Sequence, residues 1–557
     1  MGNIFSSKDL KNEPKKTLLK STGFTDDDFS RPLIGIIYSQ NDTVNAHNNI
    51  VNVVNAVKEG VISAGGKPVS ATVMSICSGI SMGQNGKYLL PSRELLIDSV
   101  ESIAFASGFD AIVFVGSCDS FVPAMLIAAA RLNIPSLFVS TGTSQPGYVD
   151  DKKVGFSSML EGIHKIRKGK ISTKTFEDIK GQSCATPGSG CEMSTSNTMN
   201  CLTEALGLAL PRNGTLPAHS TGRILLAKQS GSQIINVLNK QLTPKKILTV
   251  NSVLNAVKFV MAASGSLDAI LHLIALAGEL DIQEKNFSYE VIDGVRQKTP
   301  CIVKTAPYND YFIDDFDRAG GVLNVMKKLI DAGLADGTAL TITGDSLKNL
   351  SESVEADGGD IIREFSSPYS KTGAVTVLYG SLAEEGALIR SSFVPDSIKT
   401  FSGKALVYEG EEAALFAINE GAVSEGNVVV IRYEGPKGSP GMREMRAVTS
   451  AVAGLGLENK VAIVTDGRVG GTSKGLVVGH VCPEAAEEGN IAYVLDGDTI
   501  EIDLVKCRLN LDVSSKEIQN RKKRTKLKET DAKGYLQRYS QSVSSSRYGA
   551  VFKKSKR

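Results

Sequence analysis

The run Leu33-Ile34-Gly35-Ile36-Ile37-Tyr38 is apolar and uncharged, and its place in a repeating order decides the fold. Pro32 precedes it, and Ile50, Val53, Val54, Val57, Val61 and Ile62 then recur at the spacing of one helix face until Gly65-Gly66 stops them. A strand, a helix and a break are thus written in succession. The same order returns with the apolar run Val69 to Ile76, a helical pattern from about Ser92 to Ala106, the run Ala111 to Gly116, a helix near Val122 to Leu132 and the run Ser136 to Ser140. Such alternation predicts a parallel sheet covered by helices, with functional groups at the carboxyl ends of its strands.

From about Ser366 the texture changes. Short valine- and isoleucine-rich runs appear, separated by glycine: Ala374 to Leu378, Val428 to Tyr433, Val461 to Thr465, Ile491 to Val494 and Thr499 to Ile502. They predict a strand-rich second domain, a barrel or a sandwich. Gly358-Gly359 and Ser366-Ser367-Pro368 mark the junction, so the expected organisation is α/β over 1–365 and barrel-like β over 366–557 with a basic helical tail. The run Arg521-Lys522-Lys523-Arg524 in that tail reads better as a solvated helix face than as a nucleic-acid contact.

The 557 residues, 42% hydrophobic and 22% charged, suffice for substantial cores in two or three domains. A net charge of +2 gives no general electrostatic case for nucleic acid. No apolar run reaches the ~20 residues that cross a bilayer, and the lysine-bearing start lacks the apolar middle of a secretory signal. A soluble chain in a reducing, cytoplasmic compartment is expected. Met1-Gly2-Asn3-Ile4-Phe5-Ser6 fits the N-myristoylation pattern, but so short a match is better explained by chance. Eight cysteines are too few for a disulfide framework in so long a chain, which leaves burial or thiolate ligation to explain them. His47, His164, His219, His272 and His480 show no paired zinc-site spacing.

Three segments carry the chemistry: Cys77-Ser78-Gly79-Ile80-Ser81-Met82-Gly83-Gln84, then Gly116-Ser117-Cys118-Asp119-Ser120-Phe121-Val122-Pro123, then Pro187-Gly188-Ser189-Gly190-Cys191 leading to Thr195-Ser196-Asn197-Thr198-Met199. Each puts one cysteine in a glycine-rich turn before a helix. Backbone N–H groups and the helix dipole there are expected to favour the ionised, metal-binding thiolate. Cys507 lies outside any such turn.

With these segments, and with Ala128 to Ser140, Glu204 to Pro211, Ile431 to Gly438, Met442-Arg443-Glu444-Met445 and Gly479 to Ala486, the chain resembles the dihydroxy-acid dehydratase and phosphogluconate dehydratase family from about Leu18 to Val551. The resemblance implies a hydro-lyase that converts a 2,3-dihydroxy carboxylic acid to a 2-oxo acid, most readily in branched-chain amino-acid synthesis. It implies a homodimer and a small-molecule substrate. It also implies an iron–sulfur cluster, 2Fe-2S or 4Fe-4S, on Cys77, Cys118 and Cys191, and a magnesium ion on Asp119 and Glu444. Ala46 stands where some members carry their first cysteine, which resembles the phosphogluconate dehydratase pattern and makes Cys77 the first ligand.

Four departures accompany the likeness. Ser78 replaces an acidic magnesium ligand, Ser120 replaces a lysine that is carbamylated to supply another, and Gly470 stands where the family carries its serine base. The spacing from Cys191 to Thr195 is one residue short. Ser78 and Ser120 remain as weak metal ligands, and Thr472 or Ser473 is expected to substitute as base. These changes predict low activity on ordinary dihydroxy acids and open two further readings: an impaired paralogue with a binding or regulatory role, and a sugar-acid dehydratase with an altered base.

Overall fold

The structure, a computed structural model, describes residues 10–553. The myristoylation pattern lies outside the described residues. β1 (Leu33–Tyr38), α1 (Ile50–Ser63), β2 (Lys67–Thr72), α2 (Leu89–Ser107), β3 (Ala111–Val115), α3 (Phe121–Leu132) and β4 (Ser136–Val139) match the sequence alternation closely. The strands pair in parallel in the order β2-β1-β3-β4. β3 and β4 are buried throughout, which explains the unbroken apolar run of β3 and that of β4 after Ser136. The second strand differs from expectation: it ends at Thr72, because its partner β1 ends at Tyr38 and that is the last paired position. The chain from Val73 to Cys77 therefore leaves the sheet as a loop and carries Cys77 beyond the strand end.

α1 packs along α5 (Thr221–Asn239), which comes after α4 (Thr195–Ala205) in the chain. Glycine allows this approach. A Cβ on Gly60 would sit 2.0 Å from the Lys228 carbonyl oxygen, and one on Gly231 would sit 2.1 Å from that of Val57.

The C-terminal region closes into an eight-stranded barrel. Its strands are β5 (Val375–Gly380), β6 (Ala383–Arg390), β7 (Thr400–Glu409), β8 (Asn427–Arg432), β9 (Ala462–Thr465), β10 (Leu476–Cys482), β11 (Thr499–Asp503) and β12 (Arg508–Leu511), in the order β8-β9-β10-β6-β5-β12-β11-β7. Val428, Val430, Ala462, Val464 and Val478 pack inside, while the alternate residues Val429, Ile431, Ile463 and Val477 join the core of the α/β region. Both faces of these strands are thus buried, and the barrel wall is continuous with the first core. The expected strand at Ile491 to Val494 is instead a 3₁₀ turn over Asn490–Tyr493. Arg432 explains the difference, since its Nη1 donates to the carbonyls of Ala492 and Val494 at 2.6 and 3.1 Å. The basic run ends α7 (Ser515–Arg524), where Arg521 pairs with Asp498 at 2.5 Å and Lys522 lies over the Tyr493 ring. Among the described residues no helix is long and apolar enough to cross a membrane.

Glu204, at the end of α4, pins the loop that follows it. Its carboxylate accepts from the N–H groups of Gly214 and Arg212 at 2.7 and 2.9 Å, and burial pushes its pKa up to about 8. The folded protein holds this proton above the pH where the unfolded chain, with an ordinary value of 4.5, releases it. The resulting stabilisation is complete below that ordinary value and is lost as pH rises toward 8. Thermal midpoints measured across this range should fall, and Glu204→Gln should flatten the decline; an unchanged slope would contradict this role for Glu204.

Candidate functional site

A cavity of about 630 Å³ opens beyond the carboxyl ends of β1 and β3, and its wall gathers Cys77, Cys118, Cys184 and Cys191. Cys118 occupies the turn between β3 and α3, and its Sγ donates to the carbonyl of Ile76 at 2.9 Å, which brings the Cys77 and Cys118 turns together. Cys191 precedes α4 in a loop pinned to the segment after β4: Ser144 N–H donates to the carbonyl of Gly190, and a Cβ on Gly188 would sit 2.3 Å from Ser144 N. Gly188 has a φ of +144°, so this loop needs glycine for both space and conformation.

The thiols do not behave as their turns suggested. Burial raises Cys118 well above the ordinary value, with Asp119 and Cys77 adding to the rise. Burial and Glu192 do the same to Cys191. Desolvation and neighbouring negative charge outweigh the backbone amides, so a bound metal, rather than the turn, would have to hold these groups as thiolates. The same interactions link the cysteines in space: Cys118 feels Cys77, Cys184 feels Cys77, and Cys191 feels Cys184. Cys184, exposed at the cavity mouth, was not singled out by sequence.

His47 was also missed, because no second histidine marks it. It is buried, its Nε2 accepts from Ser117 N–H at 3.1 Å and its Nδ1 faces Ser75 Oγ at 3.3 Å. Burial lowers its pKa to about 4, so it is neutral near pH 7 and braces the Cys118 turn.

Asp119 is buried on the wall and accepts a hydrogen bond from Ser196 Oγ. Glu444, brought in by the loop before α6 (Arg446–Leu455), is reached through Arg446, whose Nη2 donates to Glu444 Oε2 at 2.6 Å. Burial pushes Glu444 up to about 7 against the pull of Arg446. Beneath them, Arg468 pairs with Asp268 at 3.0 Å, and both are fully buried. Burial would raise the Asp268 carboxyl, but Arg468 and His480 overcome it and hold the pKa below the usual range.

Of the proposed stand-ins for metal and base, Ser78 lines the cavity, while Ser120 is buried with its Oγ unpartnered. Thr472 is on the wall. Ser473 is turned aside: its Oγ donates to Thr449 Oγ1 and its carbonyl accepts from Tyr308. The loop at Gly470 therefore offers one hydroxyl to the cavity, and Ser194 and Ser196 add two more from the start of α4. The donor set does not fit a magnesium ion. Ser78 and Ser120 are neutral, a guanidinium lies against Glu444, and among the described residues no three His, Cys, Asp or Glu side chains are grouped to hold one ion. A cluster is larger than an ion and takes its thiolates from several sides, and the four cysteines share one cavity wall.

The model for the N-terminal region of dihydroxy-acid/6-phosphogluconate dehydratases matches residues 31–350, and that for the C-terminal region matches residues 360–550. Proteins named dihydroxy-acid dehydratase from Pyrococcus abyssi and Caldanaerobacter subterraneus are 44% and 43% identical to this chain, each over 98% of both chains. One of the same name from Halothermothrix orenii is 42% identical over 99% of this chain and 100% of its own.

Proposed function

The chain belongs to the dihydroxy-acid/6-phosphogluconate dehydratase family and is a hydro-lyase, and on that premise we propose that it converts a 2,3-dihydroxy acid of branched-chain amino-acid synthesis to the 2-oxo acid. The cavity wall bearing Cys77, Cys118 and Cys191 carries the reading. The full-length likeness to proteins named for this activity favours turnover over an impaired paralogue or a sugar-acid dehydratase. The low activity expected from the departures finds no support there. Family resemblance alone supports a cytoplasmic homodimer.

Cys77, Cys118 and Cys191 would hold the iron–sulfur cluster, with Cys184 near enough to join them. When bound, it supplies a Lewis acid that eases departure of the C3 hydroxyl. The chain's own residues have two tasks. They orient the acid in the cavity, and they remove the proton from C2. Thr472 and Ser196 both offer hydroxyls, but only Ser196 is hydrogen-bonded to a carboxylate, that of Asp119, which can take the proton the hydroxyl gives up. We assign proton removal to Ser196 backed by Asp119.

Anaerobically reconstituted protein, assayed for iron, sulfide and conversion of 2,3-dihydroxyisovalerate and 6-phosphogluconate, tests the reading. Turnover of the first and not the second is expected. Stoichiometric iron with neither product would reject the hydro-lyase reading, and preference for 6-phosphogluconate would revive the sugar-acid one.

A further inference from the structure

Arg446 comes directly after Met442-Arg443-Glu444-Met445 and lines both the cavity that holds Asp119 and the small adjoining pocket that holds Glu444, two carboxylates close enough to feel each other's charge. Its side chain is 13% exposed, Nη2 donates to Glu444 Oε2 at 2.6 Å, and Nε is buried without a partner. Burial opposes its charge, but Glu444 and then Asp119 hold it protonated. Gly470 gives this pair its room: a Cβ there would sit 2.7 Å from Glu444 Oε2 and 3.8 Å from Arg446 Nη2.

We propose that Arg446 is the built-in cation of this site, standing in place of a divalent metal between Asp119 and Glu444 and presenting its free donors to the substrate carboxylate. Three substitutions then make one arrangement. Ser78 and Ser120 add no negative charge, so a single guanidinium suffices where a richer anionic set would demand a divalent ion, and Gly470 leaves the guanidinium space. A planar guanidinium also suits a carboxylate, which it can engage through two parallel N–H donors. The metal part stands without the proposed reaction; only the carboxylate part rests on it.

Equilibrium dialysis of the full-length protein against Mn²⁺ separates the two. Wild type should retain no Mn²⁺ that Asp119→Asn removes. Arg446→Met should bind one ion per chain at least about tenfold more tightly than wild type, Asp119→Asn should abolish that gain, and Arg446→Lys should keep the ion out. One Mn²⁺ on wild type that is lost in Asp119→Asn, or no gain in Arg446→Met, would overturn the proposal. If Arg446→Met fails to fold, wild type against Asp119→Asn still decides. Calorimetry with a 2-oxo acid in chelator-treated protein reads the carboxylate part: binding should survive metal removal and weaken by about tenfold or more in Arg446→Lys. Binding that vanishes with the chelator would refute it. Protein that excludes Mn²⁺ but turns nothing over would sink the proposed reaction and leave the metal inference standing.

Discussion

Cys118→Ser protein, reconstituted anaerobically, is expected to lack the brown chromophore, stoichiometric iron and all turnover, whereas Cys507→Ser keeps all three. Cys118 is buried in the turn between β3 and α3, and its Sγ already donates to the Ile76 carbonyl. A serine hydroxyl can make the same hydrogen bond, so the fold should survive and the loss should report the ligand itself. A hydroxyl is a poor partner for the soft iron of a cluster. Cys507 lies in the turn between β11 and β12, where it accepts from Arg296 Nη2 at 3.4 Å, far along the chain from any wall cysteine. Iron and sulfide analysis beside thermal unfolding separates ligand loss from misfolding. Full iron content in Cys118→Ser would end the cluster assignment. Cys184→Ser and Cys191→Ser refine it: the shortened spacing after Cys191 leaves the third ligand open to its neighbour, and loss of iron from Cys184→Ser alone would transfer the role.

Ser196→Ala should lower kcat by ~10²–10⁴-fold with little change in KM, the range expected when a positioned acid–base group is removed. Thr472→Ala should cost less than about tenfold. The ranking rests on the carboxylate behind the hydroxyl. Asp119 accepts from Ser196 Oγ and so offers the proton a path that no carboxylate provides at Thr472. The reverse ranking would return the base to the loop at 470–475. Gly470→Ser alone should not rescue Ser196→Ala, because its Cβ would press on Glu444 Oε2 and disturb the pair with Arg446.

The parallel sheet was legible because a strand buried on both faces must be apolar at every position, and a helix covering it must be apolar at every third or fourth. β1, α1, β3 and α3 obey that rule, and β4 obeys it after its first residue, Ser136. The turns themselves were equally plain, although their effect on the thiols was not: Gly116 beside Cys118 and Gly188 before Cys191 leave no room for a Cβ, whereas Gly79 beside Cys77 does. Half of the barrel was not picked out from its pattern, and of that half β10 is buried at every position. β7 alternates exposed and buried positions amid polar residues, and β12 is four residues long, so neither gives a run that stands out. Ile491 to Val494 misled for the opposite reason, being apolar because it is buried and not because it pairs.

By itself the sequence determined which segments between residues 33 and 140 would become strands and helices, which cysteines occupy turns, and which family these turns resemble. Only the tertiary structure decided what those turns face. Arg446, Ser196 and Asp119 come from three separate elements, and nothing in the spacing of residues 119, 196 and 446 shows that they line one cavity. Thr472 and Ser473 are adjacent in the chain, yet one faces the cavity and the other Thr449. The physical reason is common to both. Local periodicity encodes burial, which each residue can express alone, whereas a site depends on the direction of side chains from remote elements, and that is set by how the barrel wall packs against the sheet.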